Sequence, residues 1–222
     1  SESGPHDPNP RSDVAALVNG VSRGRAMSDD KTYTINRRQA VAQILENRPA
    51  GLAVVTGLGT PTYDVAAAGD HPLNFYLWGA MGSAVMIGLG LALAQPKRRI
   101  LIVTGDGEML MGLGSLASVA VKRPENLGVL VLDNERYGET GGQKSHSGST
   151  VQIADVAKSC GFPTVGTYKR PDELHDLRKN LQLEKGPVMA VLKVSAGEQA
   201  RVLPERDGAT LRLRFRAAVM AA

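Results

Sequence analysis

Asp106 and Asn134 are the residues of this chain best suited by type to hold a hard cation: a carboxylate and a side-chain amide oxygen, each placed after a strand-forming run. Magnesium takes about six oxygens near ~2.1 Å and usually draws several of them from phosphate and water rather than from protein. Two oxygen side chains, one backbone carbonyl and a diphosphate complete such a shell. The flanking residues bring the pair together. Residues 100–104 are apolar and β-branched and stop at Gly105-Asp106-Gly107, where two glycines permit a tight turn. Residues 109–121 are apolar and rich in small side chains, as a helix on a sheet requires, and residues 127–132 form a second short buried-strand run. A right-handed strand, helix, strand crossover puts both tips at the carboxyl edge of a parallel sheet, where open α/β folds bind ligands. Neighbouring strands lie ~4.8 Å apart, so both side chains can reach one ion.

Other segments reach the same edge. Residues 52–56 form a strand that delivers Gly57-Leu58-Gly59-Thr60, whose glycines let the backbone approach an anion and whose threonine hydroxyl can donate to it. Trp78-Gly79-Ala80-Met81-Gly82-Ser83 precedes a helix over 84–95 that is apolar all round. With Gly88 and Gly90 that helix should be buried in close backbone contact, a subunit interface being one candidate. After Asn134 runs a polar, glycine-rich loop too long to be a bare connection. Its Glu139, Gln143 and His146 are groups able to handle protons or an acidic substrate.

Gly105-Asp106-Gly107, the intervening residues 108–133 and then Asn134 resemble the fingerprint of thiamine diphosphate (ThDP)-dependent enzymes. The resemblance implies a doubly wound, mainly parallel α/β fold with helices on both faces, and ThDP and Mg2+ as cofactors. It makes Asp106, Asn134 and the Arg136 carbonyl the metal ligands, and sets Gly105, Gly107 and Glu108 against the diphosphate, with Gly59, Thr60 and Tyr137 also at the cofactor. In ThDP decarboxylases a bulky residue wedges under the bent cofactor. By the same resemblance Met81 is that wedge and the Gly79 carbonyl accepts from the 4'-amino group. One position departs: Asp133 stands where the family usually has the first Asn of a pair, a residue that does not itself ligate the metal. The catalytic candidates are Met81, Glu139 and His146, although a working glutamate in related decarboxylases is offset by one position from Glu139.

The remaining sequence sets bounds. A length of 222 residues suits one full-sized domain but is short for two. Residues 1–30, rich in Ser, Pro, Asp and Gly, read as a flexible extension, with Met27 a candidate start and His6 solvent-exposed; 31–200 form the diphosphate-binding domain; 201–222 are a basic tail. Asn36 caps a helix that buries Ala40, Val41, Ile44 and Leu45. Helices over 151–160 and 171–183 and strands over 164–168 and 187–194 complete the sheet. Residues 211–217 alternate apolar and basic, as either an edge strand or a docked segment does. The single cysteine, Cys160, excludes an internal disulfide framework and a four-cysteine iron–sulfur site within this chain, and reads as a buried thiol. His175 reads as solvated, and His71 is open. A net charge of +4 with 4% aromatics and no basic run interleaved with them gives no nucleic-acid signature. The longest apolar stretch, 84–94, falls short of the ~20 residues of a membrane span, so a cytoplasmic protein without a membrane partner is expected.

In the ThDP superfamily the glutamate that protonates the cofactor pyrimidine comes from a separate pyrimidine-binding domain. The resemblance therefore implies a partner subunit and a hetero-oligomer. The loop from Asp133 to Gln143 and the Arg214-Phe215-Arg216 tail resemble the sulfopyruvate and phosphonopyruvate decarboxylase group. That implies a β-type subunit of a 2-oxoacid decarboxylase acting on a small anionic 3-substituted pyruvate. A carboligase or 2-oxoacid dehydrogenase subunit, or a non-catalytic ThDP- or nucleotide-binding scaffold, are the alternatives.

Overall fold

Runs of Val, Ile and Leu at 53–56, 100–105, 127–133 and 188–193 become strands whose every residue but Gly105 is buried, as a sheet covered on both faces requires. The computed structural model describes residues 33–221; the extension read over 1–30, with His6 and Met27, lies outside them. Strands β1 (Ala53–Thr56), β2 (Asn74–Tyr76), β3 (Ile100–Gly105) and β4 (Leu127–Asp133) are followed by a small hairpin, β5 (Arg136–Tyr137) and β6 (Gln143–Lys144), then by β7 (Thr164–Tyr168) and β8 (Val188–Lys193). The six longer strands pair in parallel in the order β2-β1-β3-β4-β8-β7, while β5 and β6 pair antiparallel. The helices are α1 (Arg37–Leu45), α2 (Thr60–Ala67), α3 (Ala84–Ala94), α4 (Asp106–Met111), α5 (Ser115–Lys122), α6 (Ile153–Cys160), α7 (Leu174–Leu183) and α8 (Gly208–Met220).

Side chains on the strands alternate between two cores. Leu101, Val103, Leu130 and Leu132 join the apolar faces of α1, α2 and α7, whereas Ile100, Ile102, Val129 and Val131 join α3, α5 and α6. This is the doubly wound arrangement expected from the sequence. Asn36 caps α1 as expected, accepting from Arg38 N–H at 3.0 Å and Gln39 N–H at 3.2 Å. Because β3 and β4 are neighbours, with Gly105 opposite Leu132, their tips sit side by side.

The structure departs from the sequence reading in several places. The single helix expected over 109–121 is two, α4 and α5, broken at residues 112–114. The cause is a long-range contact: a Cβ at Gly112 would lie 2.1 Å from the Gly82 carbonyl oxygen. Helix α3 is buried on one side only; Gly88 presses on Ile102, but Met86 and Leu93 are exposed. Residues 171–183 open with a 3-10 turn before α7 begins, and β2, which lies within the largely apolar residues 73–78, is a strand the sequence reading did not include. Of the two readings open for residues 211–217, the edge strand fails and the docked segment holds, as a helix over residues 208–220. Its contacts recur at helical spacing, Leu211, Phe215 and Val219, so that Leu213 is left exposed. Phe215 packs on Phe75 with ring centroids 5.3 Å apart, and Arg214 pairs with Asp70 at 2.6 Å. Cys160 is half-buried and His175 exposed; His71 Nδ1 accepts from Leu73 N–H at 3.0 Å, a local turn contact. No helix among the described residues is long and apolar enough to cross a membrane.

Candidate active site

Three loops and two strand tips enclose a cleft at the carboxyl edge of the sheet. Leu58, Thr60 and Pro61 come from the β1–α2 turn and Met81 from the segment before α3. Gly105 to Glu108 come from the β3 tip, Asn134 from the β4 tip, and Arg136 to Thr140 from the hairpin that follows. Ten of the sequence-predicted residues therefore meet in one place: Thr60, Met81, Gly105, Asp106, Gly107, Glu108, Asn134, Arg136, Tyr137 and Glu139. The hairpin explains why the loop after Asn134 is ordered: Tyr137 pairs with Gln143, and Gly141 and Gly142 turn the chain at φ 115° and 74°.

Asp106 is 2% exposed, and its Oδ2 accepts from the hydroxyls of Ser145 at 2.5 Å and Ser147 at 3.1 Å. Burial, with the Asp133 charge adding to it, pushes its carboxyl up to about 6, against the pull of the two serines. Ser147 also reaches Asp133 Oδ1 at 2.8 Å. Asp133 is held in turn by Lys193 Nζ at 2.7 Å, and the same ammonium binds Glu135 at 2.7 Å. Tyr33 completes the chain of contacts by donating to Glu135 at 3.0 Å. Burial works against the charge on Lys193, yet its two carboxylate partners hold its pKa above the ordinary value. The departure at Asp133 thus has a local answer. Lys193 stands opposite it in the β4–β8 register and neutralises it.

Sequence reasoning missed Ser145, Ser147 and Lys193. Only the serines carried a signal, two hydroxyls flanking His146 in a polar loop. Lys193→Met is expected to destabilise the fold by about 3–5 kcal/mol in urea titrations, because it strands buried carboxylates. Adding Asp133→Asn should recover more than ~1 kcal/mol of that. A single-variant cost below ~1 kcal/mol would show that the pair does not hold this strand tip.

Asn134 Oδ1 accepts from Arg136 N–H at 3.0 Å, and Asp133 Oδ1 accepts from Glu135 N–H at 3.0 Å, so the β4 tip ends in two overlapping side-chain turns. A Cβ on Gly107 would lie 2.9 Å from the Tyr137 ring and 3.8 Å from the Met81 methyl, so these two side chains flank a bare backbone surface. Gly59, at φ 80°, is buried behind Thr60 with the Glu139 carboxylate over it. Glu108 lines the cleft, and its carboxylate is also engaged behind it. Its Oε2 accepts from Leu58 N–H at 2.7 Å and lies where a Gly57 side chain would be, bracing the β1–α2 turn against the β3 tip. Burial raises its pKa. Gly79 is exposed and outside the cleft lining. His146 is exposed too and reaches the cleft only through Tyr137, whose hydroxyl shares a 2.7 Å hydrogen bond with Nδ1.

The sequence family described as thiamine pyrophosphate enzyme, C-terminal TPP binding domain, matches residues 57–192, thiamine pyrophosphate being another name for ThDP. The chain is 32% identical over 183 residues to the sulfopyruvate decarboxylase subunit beta of Methanocaldococcus jannaschii, covering 82% of this chain and 96% of that one. It is 36% identical over 211 residues to the phosphonopyruvate decarboxylase of Streptomyces viridochromogenes, covering 95% of this chain but only 51% of that one. Among solved structures, a thiamin diphosphate-dependent enzyme from Mycobacterium smegmatis superposes with a TM-score of 0.64 at 23% identity. It covers 76% of this chain and 34% of that one, a likeness of fold. The matched span includes both strand tips and the turns that wall the cleft, and the chain belongs to the thiamine pyrophosphate enzymes as a C-terminal, TPP-binding domain.

Proposed function

We propose that the chain is the ThDP- and magnesium-binding subunit of a split 2-oxoacid decarboxylase acting on a small anionic 3-substituted pyruvate of the sulfopyruvate or phosphonopyruvate type. The observation that carries this reading is the buried Asp106 carboxylate beside Asn134, with the bare Gly107 backbone between Met81 and Tyr137. A buried acid whose proton is held up to about 6 by burial and a neighbouring Asp invites a cation. Among the described residues no group of three or more His, Cys, Asp or Glu is arranged to hold a metal ion. A donor set of one carboxylate, one amide and one carbonyl suits magnesium, which takes phosphate oxygens and water for the rest. Bound here, ThDP would supply the nucleophilic carbon that adds to the keto group and accepts the electrons left by carbon dioxide.

Each element of the chain then has a task. Asp106, Asn134 and the Arg136 carbonyl would hold the metal, while Gly59, Thr60 and Gly107 offer backbone and hydroxyl contacts to the diphosphate. Thr60 opens α2, whose N-terminus faces the cleft and favours negative charge. Met81 would set the bend of the cofactor, and the Gly79 carbonyl would orient its amino group. Tyr137 and Glu139 line the cleft, and Tyr137 connects it to the exposed His146, a route by which a proton can reach the site from solvent. A partner subunit with a pyrimidine-binding domain would supply the missing glutamate. The name "subunit beta" carried by the M. jannaschii relative supports that division.

The test is carbon dioxide release from sulfopyruvate and phosphonopyruvate with ThDP, magnesium and the candidate partner present. Within it, Met81→Ala is expected to lower kcat at least tenfold with ThDP affinity nearly unchanged, because a wedge sets the reactive conformation rather than the diphosphate grip. Steady-state rates within about twofold of wild type would make Met81 a packing residue.

A further inference from the structure

Beside the cleft opens a second, more polar recess of about 350 Å³. It shares Thr60, Asn134, Arg136, Gly138 and Glu139 with the cleft and is roofed by residues 196–201. That segment is a strap tied down at both ends. Arg37 Nη1 donates to the Gly197 carbonyl at 2.6 Å on one side. On the other, Trp78 Nε1 donates to the Glu205 carbonyl at 2.9 Å, and the Arg206 guanidinium lies 5.6 Å from the Trp78 ring. Between the anchors Arg201 rests over the Tyr63 ring at 5.7 Å and lines the recess that adjoins the cleft. Its carboxylate partner there is Glu139, at 3.5 Å, with both side chains open to solvent. An exposed ion pair of that length contributes little, so a better anion displaces Glu139 at small cost. A planar guanidinium held by stacking and by an anchored strap is preorganised for a bidentate grip on a tetrahedral oxyanion.

We propose that Arg201 is an anion-binding residue of this site, gripping a phosphoryl or sulfonyl group at the cleft mouth. The inference rests on the ThDP reading for the identity of the anion, which is either the terminal phosphate of the cofactor or the 3-sulfonate or 3-phosphonate of the substrate. The α2 N-terminus at Thr60, capped by Gly59 without a side chain, adds favourable potential on the same wall.

Arg201→Ala and Arg201→Lys test the proposal in the assembled enzyme. Calorimetry reads ThDP affinity with magnesium, and steady-state assays read KM for sulfopyruvate, phosphonopyruvate and unsubstituted pyruvate. The Ala variant should lose about tenfold or more in one arm, and Lys should restore part of it as a point charge without the fork. Weaker ThDP binding assigns the anion to the cofactor. A raised KM for the two anionic substrates, with pyruvate unchanged, assigns it to the substrate. Changes under twofold in both arms overturn the role. Should wild type bind no ThDP, that outcome defeats the ThDP reading, and titrating inorganic pyrophosphate into the chain alone still decides the question for Arg201: equal affinity in wild type and Arg201→Ala refutes it. The side chain is 66% exposed, so an unchanged melting curve is expected to accompany every outcome.

Discussion

Asp106→Asn is expected to abolish magnesium-dependent ThDP binding while making the metal-free chain more stable. Both effects follow from one buried carboxylate. Asp106 lies at the β3 tip, sealed from water, with the Asp133 charge nearby and two serine hydroxyls as donors. Its pKa is raised from 3.8 to about 6, so the folded chain prefers the neutral acid. The sign follows: the folded state bears no cost below the unfolded value near 3.8, and the cost grows to its full size above about 6. That full size is about 3 kcal/mol, so urea-unfolding stability of the metal-free chain should fall as pH rises between those limits. Asn keeps an acceptor for Ser145 and Ser147 but carries no charge, so its stability should be flat across that window and higher at pH 7.5. A divalent ion reverses the preference, because it favours the carboxylate that burial penalises. ThDP affinity measured by calorimetry should therefore drop by ~100-fold or more in the variant, or about 2.7 kcal/mol. Unchanged affinity would remove Asp106 from the metal site, and an unchanged pH dependence would show that its burial carries no strain.

The parts of the fold legible in the sequence are those specified by neighbours along the chain. Residues 100–105 and 127–133 announce themselves as buried strands because a parallel sheet covered on both faces demands continuous apolar runs. Once they are adjacent, a crossover rule places Asp106 and Asn134 together without further information. What could not be read depends on contacts between distant segments. The break between α4 and α5 answers to Gly82, thirty positions from Gly112 in the chain. Alternation at Leu211, Leu213 and Phe215 suits a strand locally, and only the surface offered by Phe75 and the two cores selects a helix. Lys193 is unremarked in sequence because its meaning comes from lying opposite Asp133 on the adjacent strand. Glu108 was placed at the cleft from its position after Gly107, but its brace on the β1–α2 turn could not be read, because that depends on the missing side chain of the distant Gly57. The meeting of Asp106 and Asn134 in one cleft was thus visible from spacing, while the serines and lysine packed around them were not.

The chain by itself is expected to release no carbon dioxide from any 2-oxoacid, and a pyrimidine-domain subunit should restore turnover. The surface that motivates this adjoins the cleft. Met81 is 39% exposed at its rim, and beyond it Met86, Leu93, Met111 and Val121 are 45%, 49%, 64% and 80% exposed. Together α3 and α5 form an apolar groove around Gly90, where the small side gives a partner close access to the backbone. Apolar side chains left in water at this density, next to the site that the proposed partner would complete, fit a subunit contact better than a solvated face. Leu93→Asp combined with Val121→Asp should leave the fold intact, since neither side chain is in the core. Burying two unpaired carboxylates at the contact should weaken association by ~100-fold or more, read by light scattering or ultracentrifugation with the partner. Turnover at saturating partner should then return toward the wild-type rate, because the substitutions touch assembly and not the cleft. Full activity of the chain alone would sink the split-site reading. Wild-type association of the doubly substituted chain would move the partner to another face, leaving the ThDP site itself untouched.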